Sequence, residues 1–100
     1  MDLEYLRDRI HEELTDACAY AKMGIELKAM STDWSKSFMN MSAEELQHAN
    51  EIYRLYGDYL NRLNGSYENK PKYVEEIDKD VREFYPEMVL KVKALHDIYR

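Results

Sequence analysis

Apolar residues recur in this chain at alternating steps of three and four over three long stretches, a rhythm that fits packed helices and little else. The first stretch reads Leu3, Leu6, Ile10, Glu13, Ala17, Tyr20, Gly24, Leu27. The second reads Trp34, Phe38, Met41, Glu45, His48, Ile52, Leu55, Tyr59, and the third Val74, Ile77, Val81, Phe84, Met88, Val92, Leu95, Tyr99. Such a period keeps one face of a helix against a neighbour, as in helical bundles. Helix breakers are scarce, with Gly 3 and Pro 2 in 100 residues.

Two segments carry turn signals. In "MSTDW", residues 30–34, Ser31, Thr32 or Asp33 can cap a helix that begins near Trp34. In "LNGSYENKPK", residues 63–72, Asn64–Gly65 is a helix stop and Pro71 a helix start. The expected fold is all-α and a single domain over 1–100: an antiparallel hairpin of helices at about 2–30 and 33–64, then a third helix at about 71–100. An interior proline removes a backbone hydrogen bond, so a kink or restart is expected near Pro86.

The formal net charge of −6 argues against nucleic-acid and anionic-membrane surfaces. No apolar run approaches the roughly 18 residues that span a bilayer. Cys18 is the only cysteine, which excludes an intrachain disulfide and a cysteine-rich metal site. The first residues, "MDLEYLRDRIHEEL", lack the basic and apolar regions of a signal peptide, so the expected compartment is the cytoplasm.

Three seam positions are ionisable: Glu13, Glu45 and His48. If the first turn centres near residues 30–31, residue 13 lies level with about 48, and residue 45 with about 16. All three then share one level of the hairpin. Glu45 and His48, at i and i+3, project to the same side of their helix. Two carboxylates at one buried level repel, and a cation removes the conflict. Carboxylate oxygen with imidazole nitrogen suits iron or manganese, and zinc as well.

Di-metal four-helix bundles draw one Glu from each of two helices and a Glu-x-x-His from each of the other two. Glu13 and the "ELQH" run of 45–48 supply half of that set. The third helix cannot supply the rest, because Lys93, not Glu, stands three residues before His96. A two-fold homodimer can, by placing four carboxylates and two imidazoles around two metals.

"EELTDACAY", with Glu13 seven residues before Tyr20, and "EELQHA", with Glu45, His48 and Ala49, resemble the first half of a rubrerythrin or ferritin-like di-iron domain over about residues 5–60. The 32-residue spacing of Glu13 and Glu45 is similar to that family's. The half-length chain resembles the encapsulated ferritins, whose short subunits build the di-iron site across their interface. The resemblance implies a ferritin-like four-helix bundle made by dimerisation, two irons per dimer, and binding and oxidation of iron(II). Glu13, Glu45 and His48 would be metal ligands, and Tyr20 would orient one of them through a hydrogen bond. It also implies assembly partners: a larger ring, or a shell holding the protein as cargo. Rubrerythrin's Cys-x-x-Cys pairs are absent, which argues against its peroxidase wiring. A Tyr-Pro in "DKDVREFYP" resembles rubrerythrin's third helix and nominates Asp78 or Asp80, although neither lies on the apolar stripe.

Plainer readings stand beside these. The three residues can form a buried polar network that fixes register. The chain is then a helical interaction or assembly module, with a structural or vestigial metal. The tyrosines read as helix-face packing with a wet tip. Met23, Met30, Met39 and Met41 read as adaptable packing or a subunit contact. His11 and His96 are expected at the surface or an edge, Cys18 inside, and Glu12, Asp16 and Glu44 on a solvated face flanking the site.

Overall fold

The computed structural model describes residues 2–66 and 71–100. Three helices account for nearly all of them: α1, Leu3–Leu27; α2, Thr32–Ser66; and α3, Lys72–Tyr99. Each starts on chemistry visible in the sequence. Asp2 accepts from the Tyr5 N–H at 2.8 Å and caps α1. Ser31 Oγ accepts from the Trp34 N–H at 3.2 Å at the head of α2. Pro71, with φ −58° and ψ 144°, precedes α3.

Two expectations about helix ends change. The stop at Asn64–Gly65 does not act there, since α2 continues to Ser66; the rest of that expected turn, 67–70, lies outside the described residues. Nor does α3 restart at Pro86, which sits inside one continuous helix. The carbonyl that loses its donor belongs to Arg82, and both residues are exposed, so water can serve it.

The helices form one three-helix bundle of 57 × 20 × 15 Å. α2 runs antiparallel to α1. α3 runs parallel to α1: Tyr73 shares a shallow cavity with Asp2 and Leu3 at one end, and Lys28 Nζ donates to the Tyr99 carbonyl at 2.6 Å at the other. The core joins Leu3, Leu6, Ile10 and Leu14 of α1, Ala49, Tyr56 and Leu60 of α2, and Val74, Ile77 and Val81 of α3. The third helix is therefore part of this core, not an appendage outside a hairpin. Its docking against α2 includes two polar pins: Tyr56 donates to Asp78 Oδ1 at 2.7 Å, and Tyr85 to Asn50 Oδ1 at 2.5 Å. Tyr53 and Tyr85 stack between them, centroids 3.8 Å apart.

The main correction concerns the inner face of α2. Its buried residues are Ser35, Ser42, Ala49, Tyr56 and Leu60. The expected seam lies one residue, or about 100°, around the helix from these. Its members are only partly covered, with Trp34 58% and Leu55 42% exposed. The cause is close approach. Ala17, Ala21 and Gly24 of α1 face the small α2 residues, so the two backbones nearly touch. Ser42 Oγ donates to the Ala17 carbonyl and Ser35 Oγ to that of Gly24, both at 2.7 Å. A Cβ on Gly24 would stand 3.2 Å from the Ser35 carbonyl oxygen and closer still to Met39. Small hydroxyls that bond across a tight interface thus take the inside, leaving larger apolar side chains on an outer face. Trp34 and Leu55 carry the exposed part of that face, while Ile52 and Tyr59 still pack against the core; the contacts of α3 with α2 include Ser42, Asn50, Tyr53 and Tyr56.

Among the described residues, no helix is long and apolar enough to cross a membrane.

Candidate metal centre

Among the described residues, one group of three metal-capable side chains converges: Glu13, Glu45 and His48, with a donor atom from each within 4.8 Å of the others. The α1–α2 register puts Glu13 level with His48, as the turn position implies. The group is not sunk in the core, however. Glu13 is buried at 6% exposure, while the side chains of Glu45 and His48 are 22% and 60% exposed. They belong to the displaced outer stripe, so the site is a niche floored by Glu13 and open to the outer face.

His48 Nδ1 lies 3.8 Å from Glu13 Oε2 and 3.7 Å from Glu45 Oε1. Ligands about 2.1 Å from a shared ion stand roughly 3–4 Å apart, so the imidazole can share one ion with either carboxylate. In the Nε2–H tautomer, Nδ1 carries the lone pair that a metal would need.

The two carboxylates differ. Glu13 Oε1 accepts an ion-paired hydrogen bond from Arg9 Nη2, while Arg9 Nη1 reaches Glu12 Oε2 at 3.0 Å. The other oxygen, Glu13 Oε2, is buried without a donor. Glu45 is pushed up from 4.5 to about 7. The first cause is the hydrogen bond its protonated form makes to Glu13; burial and the charges of Glu13 and Asp16 add to it, and His48 opposes them. Near neutrality a proton therefore does in part what a cation would do fully.

Arg9 is the component the sequence reading missed. The signal was present as Arg-x-x-x-Glu, an i,i+4 pair at Arg9 and Glu13. Other nominees lie elsewhere. Tyr20 rests its ring near Phe38, centroids 6.1 Å apart, and its hydroxyl makes no hydrogen bond to the three residues. Asp78 accepts from Tyr56 and from Arg82 Nε at 2.8 Å, and Asp80 lies 3.9 Å from Arg7, so both serve helix docking and surface pairing. His96 is half-buried at an edge of the bundle, and its Nε2 reaches inward to Ser42 Oγ at 2.8 Å. The single Ser42 hydroxyl proton goes to Ala17, so His96 is the donor, and burial first, then Arg100, lowers its pKa. His11 is exposed with its ring edge near Phe84, and Cys18 is buried, as expected.

The donor set fits a divalent first-row metal: hard oxygens, one borderline nitrogen, and a buried oxygen lacking a partner. Three protein ligands leave the coordination sphere incomplete, with its open side on the outer face. No family model, curated protein or solved structure matches the chain.

Proposed function

We propose that the chain binds iron(II) through Glu13, Glu45 and His48, and that two copies meet outer face to outer face to complete a di-iron site that oxidises it. The observation that carries this reading is Glu13 Oε2, a buried carboxylate oxygen without a donor, with a second carboxylate and an imidazole converging on it. A proton held with Glu45 can answer Glu13 alone; a cation answers both carboxylates and gives His48 Nδ1 a reason to face them. The pairing is supported by the outer stripe, where Trp34 and Leu55 stand exposed along α2, with Phe38 and Met41 half-buried between Trp34 and the niche. Covering that stripe with a second copy buries apolar surface and doubles the ligands to four carboxylates and two imidazoles.

In this arrangement the residues divide the work. Glu13, fixed by Arg9, presents one oxygen. Glu45 would give up its proton as it took its place among the ligands. His48 supplies nitrogen and sets the exposed limit of the site. The apolar rim excludes water around the metals once the copies meet. Iron(II) is the electron donor, and dioxygen the acceptor. Manganese(II) and zinc(II) suit the same donors, so the reading is a competence for iron, not exclusivity.

The same exposed stripe also favours a second reading: a helical interaction or assembly module in which the metal is structural or vestigial. One titration separates them. Iron(II) is added without oxygen and binding is followed; oxygen is then admitted, and its consumption is measured with the near-ultraviolet absorbance of iron(III). Binding followed by oxygen consumption supports the first reading. Binding without it supports the second, and no binding of iron(II), manganese(II) or zinc(II) overturns the metal site.

A further inference from the structure

Arg9 has no part in the ligand set, yet it holds the only deeply buried member. Its Nη2 donates to Glu13 Oε1 and its Nη1 to Glu12 Oε2 at 3.0 Å, so the guanidinium is fixed at both ends on the lip of the niche. Three consequences follow from charge and geometry. Without metal, the pairing sets a compensating positive charge beside the buried Glu13 carboxyl. Glu13 also presents Oε2 as its oxygen without a protein donor, since Oε1 accepts from Arg9. Finally, a full positive charge sits within one carboxylate's width of any ion held by Oε2. Repulsion between like charges at such a distance is worth kilocalories even at an effective dielectric constant of about 20. The exposed side of Arg9 screens part of it; its side chain is 34% exposed.

We infer that Arg9 is a built-in counter-cation that keeps the Glu13–Glu45–His48 site organised without metal and speeds departure of the ion once bound, making this an exchange site and not a retention site. The inference rests on the metal-binding reading above. It identifies the bound ion as cargo in transit. A site meant to retain its ion would keep a guanidinium away from its ligands. Here the chain places the guanidinium on the ligand itself, from the i−4 position, which lies one turn away on the same helix face. The exposure of His48 is consistent with this, because the ligand farthest from the core can swing away first.

The test compares the full-length protein with Arg9→Gln and Arg9→Lys, using zinc(II), a redox-silent probe, at pH 8. Affinity is measured by competition with a chromophoric chelator, and release by a chelator chase. Arg9→Gln removes the charge and retains an amide donor; it should bind about tenfold tighter and release correspondingly more slowly. Arg9→Lys keeps the charge and should stay within about threefold of the parent, which separates charge from packing. Circular dichroism checks that each variant is folded. If the parent binds zinc(II) and Arg9→Gln binds equally or more weakly, the counter-cation role is overturned while the metal site stands. If neither binds, both fall. If Arg9→Gln and Arg9→Lys tighten equally, a loss of packing is responsible, and the inference is again overturned.

Discussion

Ser42 Oγ donates to the Ala17 carbonyl at 2.7 Å, across an interface so close that only small side chains fit on either side of it. The same oxygen accepts from His96 Nε2 at 2.8 Å, so one buried hydroxyl joins all three helices. This relationship fixes the rotation of α2, and with it which face carries Glu45 and His48. Ser42→Ala should leave the His96 N–H without its acceptor and cost about 1–2 kcal/mol in urea denaturation. Ser42→Leu should cost more than Ser42→Ala, because the added side chain meets the α1 backbone. Equal stability of Ser42→Leu and the parent would mean that this face of α2 is not the inner one.

The outer stripe makes a separable prediction. Leu55 and Trp34 are 42% and 58% exposed in one chain, so replacing either with Glu should change the stability of the isolated fold by no more than about 0.5 kcal/mol. If a second copy covers the stripe, the same changes bury a charge at the contact and shift the protein to monomer in sedimentation velocity. Dimers that persist in Leu55→Glu and Trp34→Glu would place the contact elsewhere.

Glu45 supplies a pH dependence of definite sign. Its carboxyl ionises near pH 7 in the fold, against 4.5 ordinarily, so between those values the folded chain holds a proton the unfolded chain has lost. Its contribution to stability is complete below about pH 4.5 and is lost as pH rises through 7. In the metal-free protein Glu45→Gln should therefore be stabilising at pH 8, by on the order of 1–2 kcal/mol, and nearly neutral at pH 4.5. Metal binding should run the opposite way. The parent's affinity for zinc(II) should fall up to about tenfold for each pH unit below 7, as the ion competes with one proton. An affinity flat from pH 8 to pH 6 would remove Glu45 from the ligand set.

Much of this was legible in the residues themselves, and what was not has a physical cause. Helix number and order followed from the three–four rhythm and the two turn signals, and the stripes of α1 and α3 were read correctly. The level of Glu13 against His48 needed only the position of the first turn. The rotation of α2 departs from the apolar pattern because hydrophobicity ranks Trp34, Met41 and Leu55 above Ser35, Ser42 and Ala49. Close packing ranks them the other way, since serine hydroxyls satisfied by α1 carbonyls carry no desolvation debt. Burial of the site therefore could not be read from periodicity: Glu13 is inside, while His48 is 60% exposed. Pro86 carries a breaker signal in sequence, yet on an exposed face the freed carbonyl has water available. Arg9 does not stand out in sequence because i,i+4 pairs are common on helix surfaces; only the burial of Glu13 makes this one matter.

The central claim is a metal bound by Glu13, Glu45 and His48 and completed by a second copy. Native mass spectrometry of the parent, loaded with iron(II) under anaerobic conditions, tests it most directly by reading chain and metal counts together. The account predicts a species with two chains and two metal ions, lost in Glu13→Ala and in His48→Ala while each variant keeps its helical circular dichroism. A metal-free monomer across the full range of iron(II) concentrations, or a metal-loaded species indifferent to both substitutions, would contradict it.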